Sequence, residues 1–322
     1  MDRSASAGSK HPLRAGGTAL TLLSTALNLE VLRCLEEGPQ PLQDLMRTLG
    51  FPPPSTTRLY LRALSEINAI ERRSRNEFPT SVDYEITPAG RALLETSKLL
   101  QAWLSTSPGG EIELGGMAAK SAIKALVEGW TSHLVRALAA RPLALTELNS
   151  LIPRISYPSL ERRLTAMRNA GLVRAHRGEG RSTPYEVTEW LRRSVAPLAS
   201  AMAWERTYAA DHATPIGRLD VEAAFLLVIP LMELPSDVSG RCRLAVEIHD
   251  GSSPVFAGVL LCIEKGRVAP CRPGVDGKAE AWITGKPLEW LRRMSGDPGG
   301  QLEVGGTSSI AHLAIEALGH TP

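Results

Sequence analysis

One stretch of the chain occurs twice. Residues 81–104 read SVDYEITPAGRALLETSKLLQAWL, and residues 183–205 read TPYEVTEWLRRSVAPLASAMAWE. Tyr84-Glu85-Ile86-Thr87 returns as Tyr185-Glu186-Val187-Thr188, and Trp103 returns as Trp204, each 101 residues later. A match at a fixed long period means that one structural unit was duplicated. Residues beyond the second copy then need an account of their own.

The first copy reads as three helices, a hairpin and a helix. Thr21 to Glu36 carries Leu23, Leu27, Val31 and Leu35 at helical spacing, and Gly38-Pro39 stops it. Leu42, Leu45, Met46 and Leu49 give a short second helix ended by Gly50. After the turn Phe51-Pro52-Pro53-Pro54, Ser55 is expected to cap a third helix that buries Leu61, Leu64 and Ile67. Its free side offers Ser55, Thr56, Arg58 and Arg62. Arg72, Arg73 and Arg75 begin an extended segment, and Val82-Tyr84-Ile86 alternates like a returning strand. Thr87 caps the last helix and Pro88 takes its first position.

This order is that of a winged helix-turn-helix. A short amphipathic third helix can lie in the major groove of DNA. Hairpin arginines can reach flanking phosphates or a minor groove.

The second copy aligns at an offset of 103: Leu35 with Leu138, Pro39 with Pro142, Leu61 with Leu164, Ile70 with Val173. The offset falls to 101 after the hairpin, so the second wing is two residues shorter. Its third helix, SYPSLERRLTAMRNAG, turns Leu160, Leu164 and Met167 to the core. Ser156, Tyr157, Ser159, Glu161, Arg162 and Arg163 remain for the groove or for solvent. Glu161 suits either a neighbouring arginine or a cytosine amino group, and Tyr157 suits either packing or DNA. The wing carries His176, Arg177 and Arg181.

These repeats resemble the HxlR family of bacterial winged-helix regulators over about residues 20–206. The second is the closer match, through ISYPSLERRLTAMRNAGLVRAHRG and TPYEVT. The resemblance implies DNA binding as a dimer, with one chain here supplying both halves. The family's N-terminal cysteine region is absent from both copies. The first copy, PPPSTTRLYLRALSEINAIERR, has Thr57 where the second has Leu160. It also resembles the winged-helix dimerisation domain of plant-type and bacterial O-methyltransferases.

From Leu219 the character changes to alternating apolar segments separated by turns, a mainly antiparallel α+β pattern. DGKAEAWITGKPLEWLRRMSGDPGGQLEVGGTSSIAHLAIEALG resembles the sterol carrier protein fold, which encloses an apolar tunnel. By that resemblance Val246, Val259, Leu261, Trp282, Trp290 and Leu313 line a ligand pocket; the same residues would equally fill a plain core.

The expected architecture is α+β: two tandem winged helix-turn-helix domains followed by an α+β sterol-carrier-like domain. The boundaries are a disordered tail over 1–17, winged-helix domains over 18–106 and 118–210, a flexible linker over 107–117, and the last domain over 219–322. Residues 1–218 hold 27 Lys and Arg against 21 Asp and Glu, whereas residues 219–322 hold 9 against 13. The positive balance sits with the repeats, as a polyanion-binding region requires.

The expected function is a sequence-specific transcriptional regulator. Its partners are double-stranded DNA and an apolar small-molecule effector, with no membrane, and its form is a monomeric pseudo-dimer or a homodimer. The four cysteines lack metal spacing and suit a reduced, cytoplasmic protein. No cofactor and no metal are expected. The sequence holds no glycine-rich fingerprint after a strand, no HExxH and no GxSxG, which argues against an enzyme such as a methyltransferase. A protein-interaction or dimerisation module without DNA binding is the alternative.

Overall fold

A computed structural model describes residues 14–74, 82–128, 131–176, 183–250, 253–269, 271 and 273–319. Helix α1 (Gly17–Leu23) and helix α2 (Ala26–Glu36) replace the single helix expected from Thr21, and they meet at 82°. Ser24 and Asn28 close the corner by donating to the carbonyls of Thr21 (2.7 Å) and Leu22 (3.0 Å). Such short polar side chains compete with the helical ladder. The buried stretch also starts earlier than the expected tail boundary at residue 17, because Arg14 and Ala15 are already in the interior.

Strand β1 (Gln40–Pro41), α3 (Leu42–Thr48), α4 (Pro54–Glu66), β2 (Ile70–Ser74), β3 (Val82–Ile86) and α5 (Pro88–Ser105) follow. Pro54, not Ser55, takes the first position of α4, so Ser55 lies inside the first turn and makes no cap. The order then recurs as α6 (Met117–Val127), α7 (Thr131–Ala140), α8 (Leu145–Leu151), α9 (Tyr157–Asn169), β4 (Val173–Ala175), β5 (Tyr185–Val187), α10 (Glu189–Arg193) and α11 (Val195–Tyr208).

Details recur with it. Ile70 faces Ile86 across the first hairpin as Val173 faces Val187 across the second. Gln40 pairs with Tyr84, and Leu143 bridges Tyr185. Left-handed residues, Asn68 (φ 56°) and Gly171 (φ 75°), follow α4 and α9. Thr87 accepts from the Gly90 N–H and Thr188 from the Leu191 N–H, both at 3.2 Å. The segment between the two series is docked, not loose: Leu114 is buried and its N–H donates to Gln101 Oε1 (2.8 Å).

The two series meet through tryptophans. Trp103 of α5 and Trp190 of α10 stack with centroids 4.4 Å apart and planes 8° from parallel. Each indole N–H donates to the other's backbone carbonyl, at 2.7 and 2.9 Å. Trp204 Nε1 donates to the carbonyl of Ala89 at 2.8 Å. Shifting by the 101-residue offset turns the Trp103–Trp190 bond into the Trp204–Ala89 bond with the two halves exchanged. A contact that returns on exchange of halves is the mark of a two-fold-like, isologous interface. The symmetry is incomplete: Trp190 corresponds to Ala89, so its bond to the Trp103 carbonyl does not recur. Glu205 of α11 accepts from the N–H groups of Gly16, Thr18 and Ala19 at 2.7–3.0 Å and so caps α1, whereas the first copy has Leu104 there. Burial raises the Glu205 pKa, against the pull of those bonds.

The remaining elements are α12 (Arg218–Val228), β6 (Gly240–Asp250), β7 (Ser253–Glu264), β8 (Arg267–Val268), β9 (Ala281–Gly285), α13 (Pro287–Met294), β10 (Glu303–Gly306) and α14 (Ser308–Gly319). The sheet order is β10-β9-β6-β7-β8, antiparallel except for the β6–β9 pair. Cross-strand partners Cys242–Leu261, Leu244–Val259 and Val246–Ala257 share one buried face, covered by helices. Phe225 of α12 meets Trp290 of α13 edge-on at 4.9 Å. Burying side chains of this size stabilises by roughly 2 kcal/mol each.

Polar ties join α12 to the second series. Glu222 is fully buried and pairs with Arg136 of α7 and with Arg218 (2.7 Å). The Leu226 carbonyl accepts from Arg192 Nη1 at 2.9 Å. No single helix among the described residues is long and apolar enough to cross a membrane.

Candidate nucleic-acid interface

Helix α4 buries Thr57, Leu61 and Leu64. The spacing of three and four then places Ser55, Arg58 and Arg62 on one exposed stripe, with Thr56 half-buried at its edge. Leu59 beside them is 60% exposed. Arg58 and Arg62 make no ion pair with the described residues, so both guanidiniums are available to a polyanion.

Strand β2 presents Arg72 and Arg73 on opposite faces of the wing, as alternation requires. Arg72 is exposed. Arg73 is held by Glu71 (2.7 Å) and Glu85 (2.9 Å), which neutralise it. Arg75 lies outside the described residues.

Helix α9 divides differently. Ser156, Tyr157 and Arg162 are exposed, Ser159 is half-buried, and Ser156 Oγ donates to Ser159 Oγ at 2.9 Å. Arg163 does not face the groove. It is buried, paired with Glu128, and its Nη2 donates to Thr131 Oγ1 at 2.7 Å. Burial lowers its pKa to about 10. The reason is positional: Leu160, Arg163, Leu164 and Met167 occupy the i, i+3, i+4, i+7 stripe that packs inward. Arg163 is thus a clamp fixing α9 to the end of α6 and the start of α7.

Beside α9 runs an open groove of about 960 Å³, lined on the α6 side by Ser121 and Lys124 and on the α9 side by Ser156, Ser159 and Arg162, with Arg154 at the rim. Lys124 and Arg154 are exposed cations that the motif reading missed, since neither lies on a third helix or a wing. On the second wing Glu186 holds Arg174 and sits 3.5 Å from His176 Nδ1. Arg177 and Arg181 lie outside the described residues.

In the C-terminal region the expected pocket residues separate. Val246 and Trp290 line one apolar cavity. Val259 and Leu261 are fully buried in the core, and Leu313 is half-buried. Trp282 is 39% exposed and lies on the opposite face of the sheet, against Gly305. Its neighbours Ala281 and Ile283 are the inward ones, so alternation excludes Trp282 from the interior.

Burial pushes the Cys242 thiol up to about 12 and the Cys271 thiol up to about 11. Burial beside Glu37 and Glu30 also raises Cys34. These thiols stay protonated at neutral pH, which makes them poor nucleophiles. Among the described residues no group of three or more His, Cys, Asp or Glu is placed to hold a metal.

Residues 22–109 match the HxlR-like helix-turn-helix family. The match falls on the first series, although the motifs of the second had looked closer to that family. It supports a DNA-binding transcriptional regulator. Three solved structures share limited similarity. A MarR-family regulator from Enterococcus faecalis is 29% identical over 27% of this chain and 78% of its own, with a TM-score of 0.26. The reduced form of YodB from B. subtilis is 25% identical over 29% of this chain and 93% of its own, with a TM-score of 0.28. The mycinamycin-pathway methyltransferase MycE is 16% identical over 42% of this chain and 40% of its own, with a TM-score of 0.25. No curated protein matches the sequence.

Proposed function

We propose that the chain is a sequence-specific DNA-binding regulator in which two winged-helix units, residues 18–106 and 118–210, pair within one polypeptide. The observation that carries this reading is the exposed Ser55-Arg58-Arg62 stripe on α4, inside the segment that matches a regulator family. Helix α4 reads the major groove and Arg72 reaches a flanking phosphate. Helix α9 contributes Ser156, Tyr157, Ser159 and Arg162. Lys124 and Arg154 line the path of a phosphate strand beside it.

The reciprocal tryptophan bonds support an intramolecular pseudo-dimer. Unequal readers joined in this way prefer an imperfect palindrome, with half-sites about 34 Å apart if both helices meet one face of the duplex. Residues 219–322 form a sterol-carrier-like sensing domain, and the protein acts in the cytoplasm. An effector works by binding DNA-competent and incompetent states with different affinity.

The test is an electrophoretic shift with the protein's own upstream DNA at low salt, using wild type and the Arg58→Ala, Arg62→Ala double variant. A shift that weakens in the variant supports the reading. A second reading, a protein-interaction module, draws on the inward turn of Arg163 and the neutralised Arg73. Negligible DNA affinity even at low salt would establish it in place of the first.

A further inference from the structure

Arg14 stands just before α1, where its N–H donates to the Val127 carbonyl at the end of α6 (3.0 Å). Its side chain is only 6% exposed. Nη2 lies 3.9 Å from Asp220 Oδ1, too far for a hydrogen bond. That carboxylate is already engaged, with Oδ1 accepting from Ser132 Oγ (2.5 Å) and Oδ2 from the Gly217 N–H (3.1 Å). Nε and Nη1 of Arg14 have no partner among the described residues. A buried guanidinium so poorly paired is costly unless something else supplies acceptors. Burial lowers its pKa, with Asp220 opposing.

The same side chain borders an apolar cavity walled by Leu198, Met202, Val221, Trp290 and Met294. The free volume is about 30 Å³, enough for a head group or one to two waters. Two methionines in the wall can repack around a longer occupant, since their side chains are unbranched and adaptable.

We propose that this cavity binds a small amphipathic monocarboxylate. Its carboxylate supplies the acceptors that Nε and Nη1 of Arg14 lack, competing with Asp220 for the guanidinium, and its apolar body lies against Met202, Trp290 and Met294. A charge-assisted bond to one buried guanidinium suits a single negative charge. A dianion such as phosphate would place a second added negative charge beside Asp220 among apolar walls. The walls come from α11 of the second series and from α12 and α13 of the C-terminal region, so an occupant touches both. Its regulatory meaning rests on the function proposed above, whereas the binding itself does not involve DNA.

The experiment is isothermal titration of the full chain with butanoate, hexanoate and 1-hexanol. Hexanoate is expected to bind at least tenfold more tightly than 1-hexanol. Arg14→Gln should erase that difference. Asp220→Asn, which removes the competing charge, should tighten the acid and leave the alcohol unchanged. Equal affinity for acid and alcohol, no binding of either acid, or an Arg14→Gln variant that still prefers the acid would overturn the proposal. If Arg14→Gln fails to fold, the wild-type acid-to-alcohol ratio and Asp220→Asn decide. Acid binding by a chain that shifts no DNA would uphold the site and remove only the regulator.

Discussion

Helices α4 and α9 hold the same place in two copies of one element order, yet they spend their arginines differently. Their apolar stripes correspond: Thr57 with Leu160, Leu61 with Leu164, Leu64 with Met167, all buried. The flanks have drifted. Arg58 answers to Glu161, Leu59 to Arg162, and half-buried Tyr60 to buried Arg163. The first helix therefore keeps two uncommitted cations outside, and the second turns one of its pair inward onto Glu128. The number of arginines in a helix says little about a polyanion; their position relative to the packing stripe decides which of them can reach it.

The contrast is most severely tested at the junction the two halves share. Trp103→Ala removes a stacked ring and the hydrogen bond that its indole donates to the Trp190 carbonyl and should cost about 3–5 kcal/mol in urea unfolding. A loss below about 1 kcal/mol would mean that the halves do not depend on this contact. Next is the inward arginine. Arg163→Ala strands Glu128 and should cost about 3 kcal/mol, whereas Arg162→Ala should stay within about 0.5 kcal/mol. Similar losses for the two would contradict the inside–outside assignment.

On the DNA side the order reverses. Arg58→Ala with Arg62→Ala should weaken binding by about tenfold or more and flatten the salt slope by about 2, as read by fluorescence anisotropy. Arg163→Ala, compared under conditions where it stays folded, should leave that slope unchanged. Smaller losses should be equal in both halves: Thr87→Ala and Thr188→Ala each lose a helix cap, at about 1 kcal/mol. A clear inequality would show that the shared element order conceals different local energetics.

What was legible in the sequence was local. Thr87 and Pro88 announce a helix start by their own chemistry, and the structure places the cap there. Gly171 ends α9 for an equally local reason. Other features depend on partners far along the chain. Counting only Leu160, Leu164 and Met167 as core leaves Arg163 for the groove or for solvent, although its spacing from Leu160 and Met167 places it inward; its acceptors, Glu128 and Thr131, belong to other elements. By the sterol-carrier resemblance Trp282 lines the pocket, although one step of strand alternation puts it outside. The corner at Ser24 and Thr25 was hidden by a helical apolar rhythm that continues across it. Arg14 was hidden deepest, since nothing in a polar N-terminal segment marks a guanidinium that packs against α6 and α12.

We propose that one chain carries two unequal DNA readers held as a pair. Selection of bound duplexes from a random library tests it most directly. The account predicts an imperfect palindrome whose two halves are related but unequal, with only one half losing its sequence preference in the Arg58→Ala, Arg62→Ala variant. A perfect palindrome, in which both halves weaken together, would mean that two chains meet on the DNA and that a single unit reads it.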